Sequence, residues 1–529
     1  MPVINILENG RKITCEQGAN LLKVLHENSV FIENPCNGTG VCGKCRVRVT
    51  SGELSAMTNT ERRLLSEDEI EKGIRLSCLV SLLGDIDIEL PKQEKGSKVL
   101  TEGYIPQFEK DRFEGGYGVA VDIGTTTVVV SLVELKSGRE VAYASQINAQ
   151  KRFGLDVLTR ITYEYDNPET GKNELQKAIV GQLDNMISSV SEDAGISCDE
   201  IAEVVVSANC TMTHTLLGVD ARSLGKAPYA PVFKEAQSRM CGEIGIKCCK
   251  GAKLYCLPQV SAYIGADIVA GAYVCGMENE KGKVLFIDIG TNGEIVLADN
   301  GRLLCCSCAA GPALEGTNIS CGMRAALGAV EDVVIEERGV KLTTIGDTQP
   351  VGLCGSGILA AVRELVKTGN VKPSGVFIKK TDGCDERLIT QGTKRAYVLG
   401  ENLIITQDDV RQVQLAKGAI LSGFTALLNK AGIDMNDLDK VLIAGQFGAH
   451  LPVDSLIGTG ILPEEVADKL VYVGNSSKTG AYMALLSKKI RAEMENLALK
   501  MEYMELAETE NYEMLFAESM RFPKAQGGK

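Results

Sequence analysis

Apolar and polar positions alternate at residues 3–7 and 12–15, the mark of strands with one buried face. Asn9-Gly10 stands between them, a dipeptide that favours a tight hairpin turn. Residues 19–28 change to helical spacing, with Leu21, Leu22, Val24 and Leu25 available for a core. Alternation returns at 46–50 and 85–90, so a small sheet crossed by a helix is expected over residues 1–91. Residues 92–116 are charged, contain glycine and hold no period, which predicts a linker or loosely docked segment. From Tyr117 a repeat appears. VAVDIGTTTVVVSLVELKSGREVAYAS (119–145) and VLFIDIGTNGEIVLADNGRLLCCSC (284–308) share one plan. Each has an apolar strand ending in Asp, a Gly/Thr-rich turn, a second strand, a polar turn and a third strand. Asp122 and Asp288 are equivalent in this alignment, and two copies of one unit predict two similar lobes around a cleft. Helical periods follow each copy, at 174–190 and 408–431, so the architecture is mixed α/β. The lobes are expected over residues 117–281 and 282–529, the second with a helical tail over about 487–506.

Length agrees with several domains, since 529 residues exceed one hydrophobic core. A formal charge of −13, from 56 basic against 69 acidic residues, argues against nucleic acid as a partner. No basic start with an apolar core behind it precedes the first strand, and no eighteen uncharged apolar residues run together. A cytoplasmic protein without a membrane partner is therefore expected. In that compartment the 18 cysteines are thiols or metal ligands rather than disulfides. With only His26, His214 and His450, a His-rich zinc site is not expected.

CNGTGVCGKC supplies Cys36, Cys42 and Cys45, and Cys78 follows after thirty-two intervening residues. Four thiolates, two per iron, are what a [2Fe–2S] cluster needs. Gly38, Gly40 and Gly43 let the loop wrap closely and aim backbone N–H groups at sulfur. A four-cysteine zinc site is the alternative, but zinc ribbons prefer two Cys-x2-Cys knuckles, and only one occurs here. The five-residue first gap resembles the adrenodoxin-like and activator-type ferredoxins, which share the β-grasp fold. Cys305, Cys306 and Cys308 lie on the third strand of the second repeat, where alternation divides them between its faces and packing explains them. Cys241, Cys248, Cys249 and Cys256 show no ligand spacing.

A carboxylate ending a buried strand, followed by a Gly/Thr turn, suits a nucleoside triphosphate. The turns Gly124-Thr125-Thr126 and Gly290-Thr291-Asn292 can offer backbone N–H groups to phosphate oxygens. Asp122 and Asp288 can hold Mg²⁺ through water or orient the attacking water. Three further segments occur in the order found in the sugar-kinase, chaperone and actin superfamily. VSAYIGADIVAGA (260–272) resembles its first connecting helix, VLIAGQFG (441–448) its adenosine motif with Gly445 and Gly448, and VGNSSKTGA (473–481) its second connecting helix. No Walker A motif is present.

With AGPALEGTNISCGMR (310–324), GLCGSGI (352–358) and TQDDVRQVQLAKGAI (406–420), the chain resembles the reductive activators of corrinoid proteins. That resemblance implies an N-terminal β-grasp [2Fe–2S] ferredoxin and a two-lobed actin-like, ribonuclease H-like ATPase. It also implies ATP hydrolysis with Mg²⁺, reduction of Co(II) cobalamin to Co(I) in a methyltransferase system, and a corrinoid protein partner. A homodimer fits it too, and the upstream reductant is not indicated. Gln446 stands where relatives often have Gly. An electron donor to another low-potential acceptor, such as a dehydratase, is the competing enzyme reading. An ATP-binding redox-sensing scaffold is the non-catalytic one. His214 is read as a packed histidine rather than a cobalt or proton ligand. Glu315 is either cleft-facing or a helix N-terminal charge, and Ser356 either shapes a turn or binds phosphate.

Overall fold

The computed structural model describes residues 1–7, 10–28, 30, 32, 40, 43, 45–90, 105–111, 116–337, 339–379, 385–391, 394–445 and 451–524. They fall into two compact units, one drawn from the stretches 1–98, 312–414 and 522–529, the other from 99–311 and 415–521.

The chain begins with β1 (Val3–Ile6), β2 (Arg11–Thr14), α1 (Leu21–Glu27) and β3 (Arg46–Leu54). Then come α2 (Asn59–Leu64), α3 (Glu67–Glu71), β4 (Ile74–Leu76) and β5 (Leu82–Glu89). The sheet order is β2-β1-β5-β3-β4, with β1 antiparallel to β2 and parallel to β5. Leu21, Leu22, Val24 and Leu25 of α1 join Ile4, Ile6, Val47, Ile86 and Ile88 in one core. The period-3.6 and period-2 stripes thus meet as expected. Two short helices were not anticipated, although each opens on a capping box, Thr58 with Glu61 and Ser66 with Glu69. Of the Asn9-Gly10 turn, Asn9 lies outside the described residues.

The second unit opens with a meander of β6 (Tyr117–Ile123), β7 (Thr127–Glu134) and β8 (Arg139–Ile147). Helices α4 (Val157–Asp166) and α5 (Gly171–Ala194) lead to β9 (Ile201–Ala208), followed by α6 (Cys210–Leu216). β10 (Gln237–Met240), α7 (Cys241–Ile244), β11 (Lys253–Cys256) and α8 (Ala266–Val274) complete this half. The sheet order is β10-β11-β9-β6-β7-β8, with β9 parallel to both β6 and β11.

The second meander is β12 (Lys283–Ile289), β13 (Gly293–Asp299) and β14 (Arg302–Cys308). The chain then enters the first unit. It forms β15 (Ala329–Glu336), β16 (Gly339–Thr344), β17 (Gly352–Leu353), α9 (Gly355–Lys367) and a separate sheet of β18 (Leu388–Gln391), β19 (Lys394–Gly400) and β20 (Leu403–Thr406). α10 (Gln407–Ala431) returns to the second unit, where β21 (Lys440–Ala444), α11 (Val453–Gly458), β22 (Leu470–Gly474) and α12 (Ser476–Leu486) follow. α13 (Lys488–Lys500), β23 (Met501–Tyr503) and α14 (Tyr512–Ser519) end the chain's regular structure. Within the order β22-β21-β12-β13-β14-β23 the first five strands repeat β11-β9-β6-β7-β8, with β21 parallel to β12 and β22 parallel to β21, while β23 is added at the β14 edge and β10 at the β11 edge.

The connecting helices α8 and α12 cross closely. A Cβ on Gly480 would lie 2.5 Å from that of Ala270, and one on Gly271 would lie 2.8 Å from Ser476 Oγ. Small residues are what allow the helices this contact.

One expectation needs correction. The tail read as one helix over 487–506 stops at Lys500, and Met501–Tyr503 pairs with β14 as an edge strand. The unpaired N–H and C=O row of β14 outweighs local helical spacing. Of the segment expected as a linker or loosely docked stretch, residues 105–111 are docked. Asp111 accepts hydrogen bonds from Ser487 Oγ at 2.8 Å and from the N–H groups of Lys488 and Lys489 at 2.9 Å, capping α13. Phe108 also meets Tyr482 edge-on at 6.1 Å. No helix among the described residues is long and apolar enough to cross a membrane.

Candidate functional site

Both repeats place their aspartate at the end of the first meander strand. Asp122 accepts hydrogen bonds from Asn475 Nδ2 at 2.9 Å and from Ser477 Oγ at 2.7 Å. Asn475 is also the N-cap of α12, its side chain accepting from the Lys478 N–H at 2.8 Å. Burial raises the pKa of Asp122, and these two donors oppose the rise.

The second repeat surrounds its aspartate differently. Asp288 pairs across the hairpin with Glu294, whereas Asp122 pairs with Val129. The turns differ by one residue, because the Gly124 N–H reaches the Thr127 carbonyl and the Gly290 N–H reaches that of Asn292, each at 2.9 Å. That shift puts Glu294 on the face of Asp288. Asp267, in the first turn of α8, completes a group of half-buried carboxylates. Burial pushes Asp288 up to about 7, helped by the charge of Asp122. Asp267 and Glu294 are raised by burial first and by their acidic neighbours next. Glu294 and Asp267 were missed in sequence. GTNGE (290–294) and GAD (265–267) carried the signal, but only the register and the helix start reveal their positions.

Gly445 follows β21 with φ +93°, and a Cβ there would meet Asp288 Oδ1 at 2.6 Å and the Ile289 carbonyl at 2.7 Å. Its role in this structure is to let the strand end pass Asp288. Gly448, Gln446 and His450 lie outside the described residues. The turns themselves come together, with Thr126 Oγ1 and Thr291 Oγ1 3.4 Å apart. Thr125 Oγ1 accepts from Asn209 Nδ2 at 3.1 Å. Asp122, Asp288, Gly124, Thr125, Thr126, Gly290, Thr291, Asn292 and Gly445 therefore belong to one neighbourhood.

Carboxylates raised by burial and by one another's charge suit a cation, which would favour their ionised forms. Among the described residues, however, no three His, Cys, Asp or Glu side chains are arranged to hold a metal ion. That donor set fits Mg²⁺, which keeps its waters and takes one or two carboxylates with phosphate oxygens.

Of the predicted cluster ligands, Cys36 and Cys42 lie outside the described residues. Cys45 is buried, and its carbonyl accepts from Ser77 N–H at 2.8 Å and Ser77 Oγ at 2.9 Å, next to half-buried Cys78. Gly40 has φ +81°, and a Cβ on it would lie 2.9 Å from Leu79. Such a tight thiol-bearing frame fits an iron–sulfur cluster.

Other candidates take structural places. His214 is fully buried, its Nδ1 2.8 Å from the Cys210 carbonyl and its Nε2 receiving the Val232 N–H at 3.2 Å, so the ring is neutral. It stacks on Phe233 at 4.4 Å, and burial lowers its pKa. Glu315 is buried at the end of the short turn Pro312–Glu315, where its charge acts on Arg324. Ser356 lies in the first turn of α9, 3.3 Å from the Cys354 thiol. Cys305 Sγ contacts the Glu502 carbonyl, while Cys306 and Cys308 contact those of Gly423 and Gly293. Cys241 and Cys249 are buried in one core with Cys198 and Cys248 packed against it, a grouping from distant segments that spacing did not show.

The chain matches known families along most of its length. Residues 4–82 match the 2Fe-2S iron-sulfur cluster binding domain, 117–280 the RACo middle region, and 282–528 the C-terminal domain of RACo, the ASKHA domain. It is 36% identical over 402 residues to the corrinoid activation enzyme RamQ of Eubacterium limosum, covering 73% of this chain and 66% of that protein, just under two thirds of its length. It is 24% identical over 429 residues to the [Co(II) methylated amine-specific corrinoid protein] reductase of Methanosarcina barkeri, covering 75% of each. A solved reductive activator for a corrinoid, iron-sulfur protein superposes with TM-score 0.71 at 30% identity, covering 99% of both chains.

Proposed function

We propose, because this chain belongs to the RACo family of corrinoid activators, that it uses ATP to drive an electron from a [2Fe–2S] cluster onto the cobalt of a corrinoid protein, returning Co(II) to Co(I). One observation carries the reading. A ferredoxin sheet with its thiol frame shares a chain with two acid-ended hairpins whose turns meet, and a solved activator has the same length and fold.

Cys36, Cys42, Cys45 and Cys78 would hold the cluster, which supplies one electron at about −400 mV. Asp122 and Asp288 would meet Mg²⁺ directly or through its waters, with Asp267 and Glu294 adding negative charge nearby, and the ion would neutralise charge on the phosphates. The Gly124–Thr126 and Gly290–Asn292 turns, with Gly445 and Gly448, would receive the nucleotide. An acceptor of lower potential makes the electron step unfavourable by about tenfold for every 59 mV. Nucleotide helps only if its bound states differ in their affinity for the partner or for one cobalt coordination state. Weakening an axial cobalt ligand is the form of coupling that raises the cobalt potential.

The test is anaerobic reduction of a Co(II) corrinoid protein, followed by absorbance with and without ATP. Cys42→Ala should abolish the reddish cluster bands, and Asp288→Ala should keep them and stop ATP turnover. Equal cobalt reduction with and without nucleotide would reject the reading.

A further inference from the structure

Beneath the first turn lies a guanidinium that the proposed chemistry does not use. Arg160, on α4, is fully buried. Its Nη2 donates to the Thr125 carbonyl at 2.5 Å and its Nε to the Gly154 carbonyl at 3.0 Å, while Nη1 lies 3.4 Å from Gln150 Oε1. Asn148 holds the same turn, its Nδ2 donating to the Gly124 carbonyl at 2.8 Å and its N–H to the Thr126 carbonyl at 2.9 Å. Three consecutive carbonyls are therefore fixed by two residues. In a trans peptide the next residue's N–H points opposite the C=O. Clamping the carbonyls of Gly124, Thr125 and Thr126 thus sets the directions of the N–H groups of Thr125, Thr126 and Thr127. Burying an arginine costs several kcal/mol unless its hydrogen bonds are well made, and its rigid fork can serve two carbonyls at once.

We propose that Arg160 and Asn148 are positioning residues that aim the first turn's N–H groups at a nucleotide phosphate before it arrives. Donors fixed in advance do not need to reorganise when the anion binds. The ligand class is a nucleoside di- or triphosphate, and the proposal rests on the nucleotide reading of these hairpins.

Arg160→Lys keeps the charge and loses the fork. ATP affinity, measured by calorimetry on the full chain, should weaken about tenfold, with kcat changed by less than about twofold. Asn148→Ser remains able to cap the following turn and is too short to reach the Gly124 carbonyl. It should weaken ATP about threefold. The unfolding midpoint without nucleotide separates positioning from support, because a purely structural role lowers the midpoint and leaves the affinity of the folded protein unchanged. Wild-type affinity in either folded variant overturns the proposal. Should Arg160→Lys fail to fold, hydrogen exchange on the wild-type protein decides: ATP with Mg²⁺ should slow the amides of 125–127, and unchanged exchange at saturation rejects the clamp. If wild-type protein binds no nucleotide, the reading of the hairpins falls and takes this proposal with it. If wild type binds and the variants bind equally, only the clamp falls.

Discussion

In one half of the second unit, Asp122 ends β6 and receives hydrogen bonds from Asn475 and Ser477. In the other half, Asp288 ends β12 opposite Glu294, with Asp267 near enough to feel its charge. The neighbouring strands differ in the same way. Asp122 and Ile123 pair with Ser207 and Ala208 of β9, whereas Asp288 pairs with Ala444 and the next residue is Gly445. A duplicated backbone has thus acquired two kinds of carboxylate. Asp122 is oriented by donors, while Asp288 is raised by burial first and by a neighbouring negative charge next, both of which a proton or cation relieves. Topology was preserved, and division of labour arose through register and through what each connecting helix presents.

Asp288→Asn should separate the two kinds most strongly, with ATP turnover falling on the order of 10²–10³-fold. The pKa of Asp288 is raised from 3.8 to about 7, so between those values the folded chain keeps a proton that the unfolded chain has lost. Stability therefore declines as pH rises through that window, and the deficit is complete above it. Asp288→Asn should melt a few degrees above wild type at about pH 8, and the gain should vanish near pH 4. A variant less stable than wild type at the higher pH would refute the description of Asp288 as a carboxylate held up by burial and neighbouring charge.

Gly445→Ala comes next, since it forces a Cβ to 2.6 Å from Asp288 Oδ1 at φ +93°. About 2–3 kcal/mol of stability, read by urea unfolding, and roughly a hundredfold of turnover should be lost. The matched change Ala208→Gly should cost about 1 kcal/mol, and equal effects would erase the distinction between the strands. Asn475→Ala removes both a helix cap and a donor to Asp122. It should cost about 1 kcal/mol, with turnover down about tenfold. Ser477→Ala should have the smallest effect, about threefold in turnover. Both variants should move the acidic limb of the pH–rate profile upward, because each removes a donor that opposes the rise in the Asp122 pKa. An unmoved limb would show that these donors do not tune Asp122.

The duplicated hairpins were legible because strand, Asp, Gly/Thr turn and strand are consecutive in sequence, and the small N-terminal sheet was legible for the same reason. Glu294 was not, because its place depends on a one-residue difference between two turns. Asp267 was hidden inside a segment recognised only for its small residues. The strand Met501–Tyr503 has helical local spacing, and nothing within it announces the open edge of β14, some two hundred residues earlier. The docking of 105–111 likewise depends on one carboxylate finding the start of α13. Features built by neighbours in sequence could be read, and those built by distant register could not.

The bonds from Asn475 and Ser477 to Asp122 span 353 and 355 residues. During synthesis the first half's sheet, ending at Cys256, has all its strands long before α12 leaves the ribosome. Asp122 must therefore wait without those donors until nearly the whole chain exists. Because closing such a long loop is slow, the nascent protein acquires a scaffold well before it acquires a working centre, and truncations short of α12 should accumulate as folded but nucleotide-blind fragments.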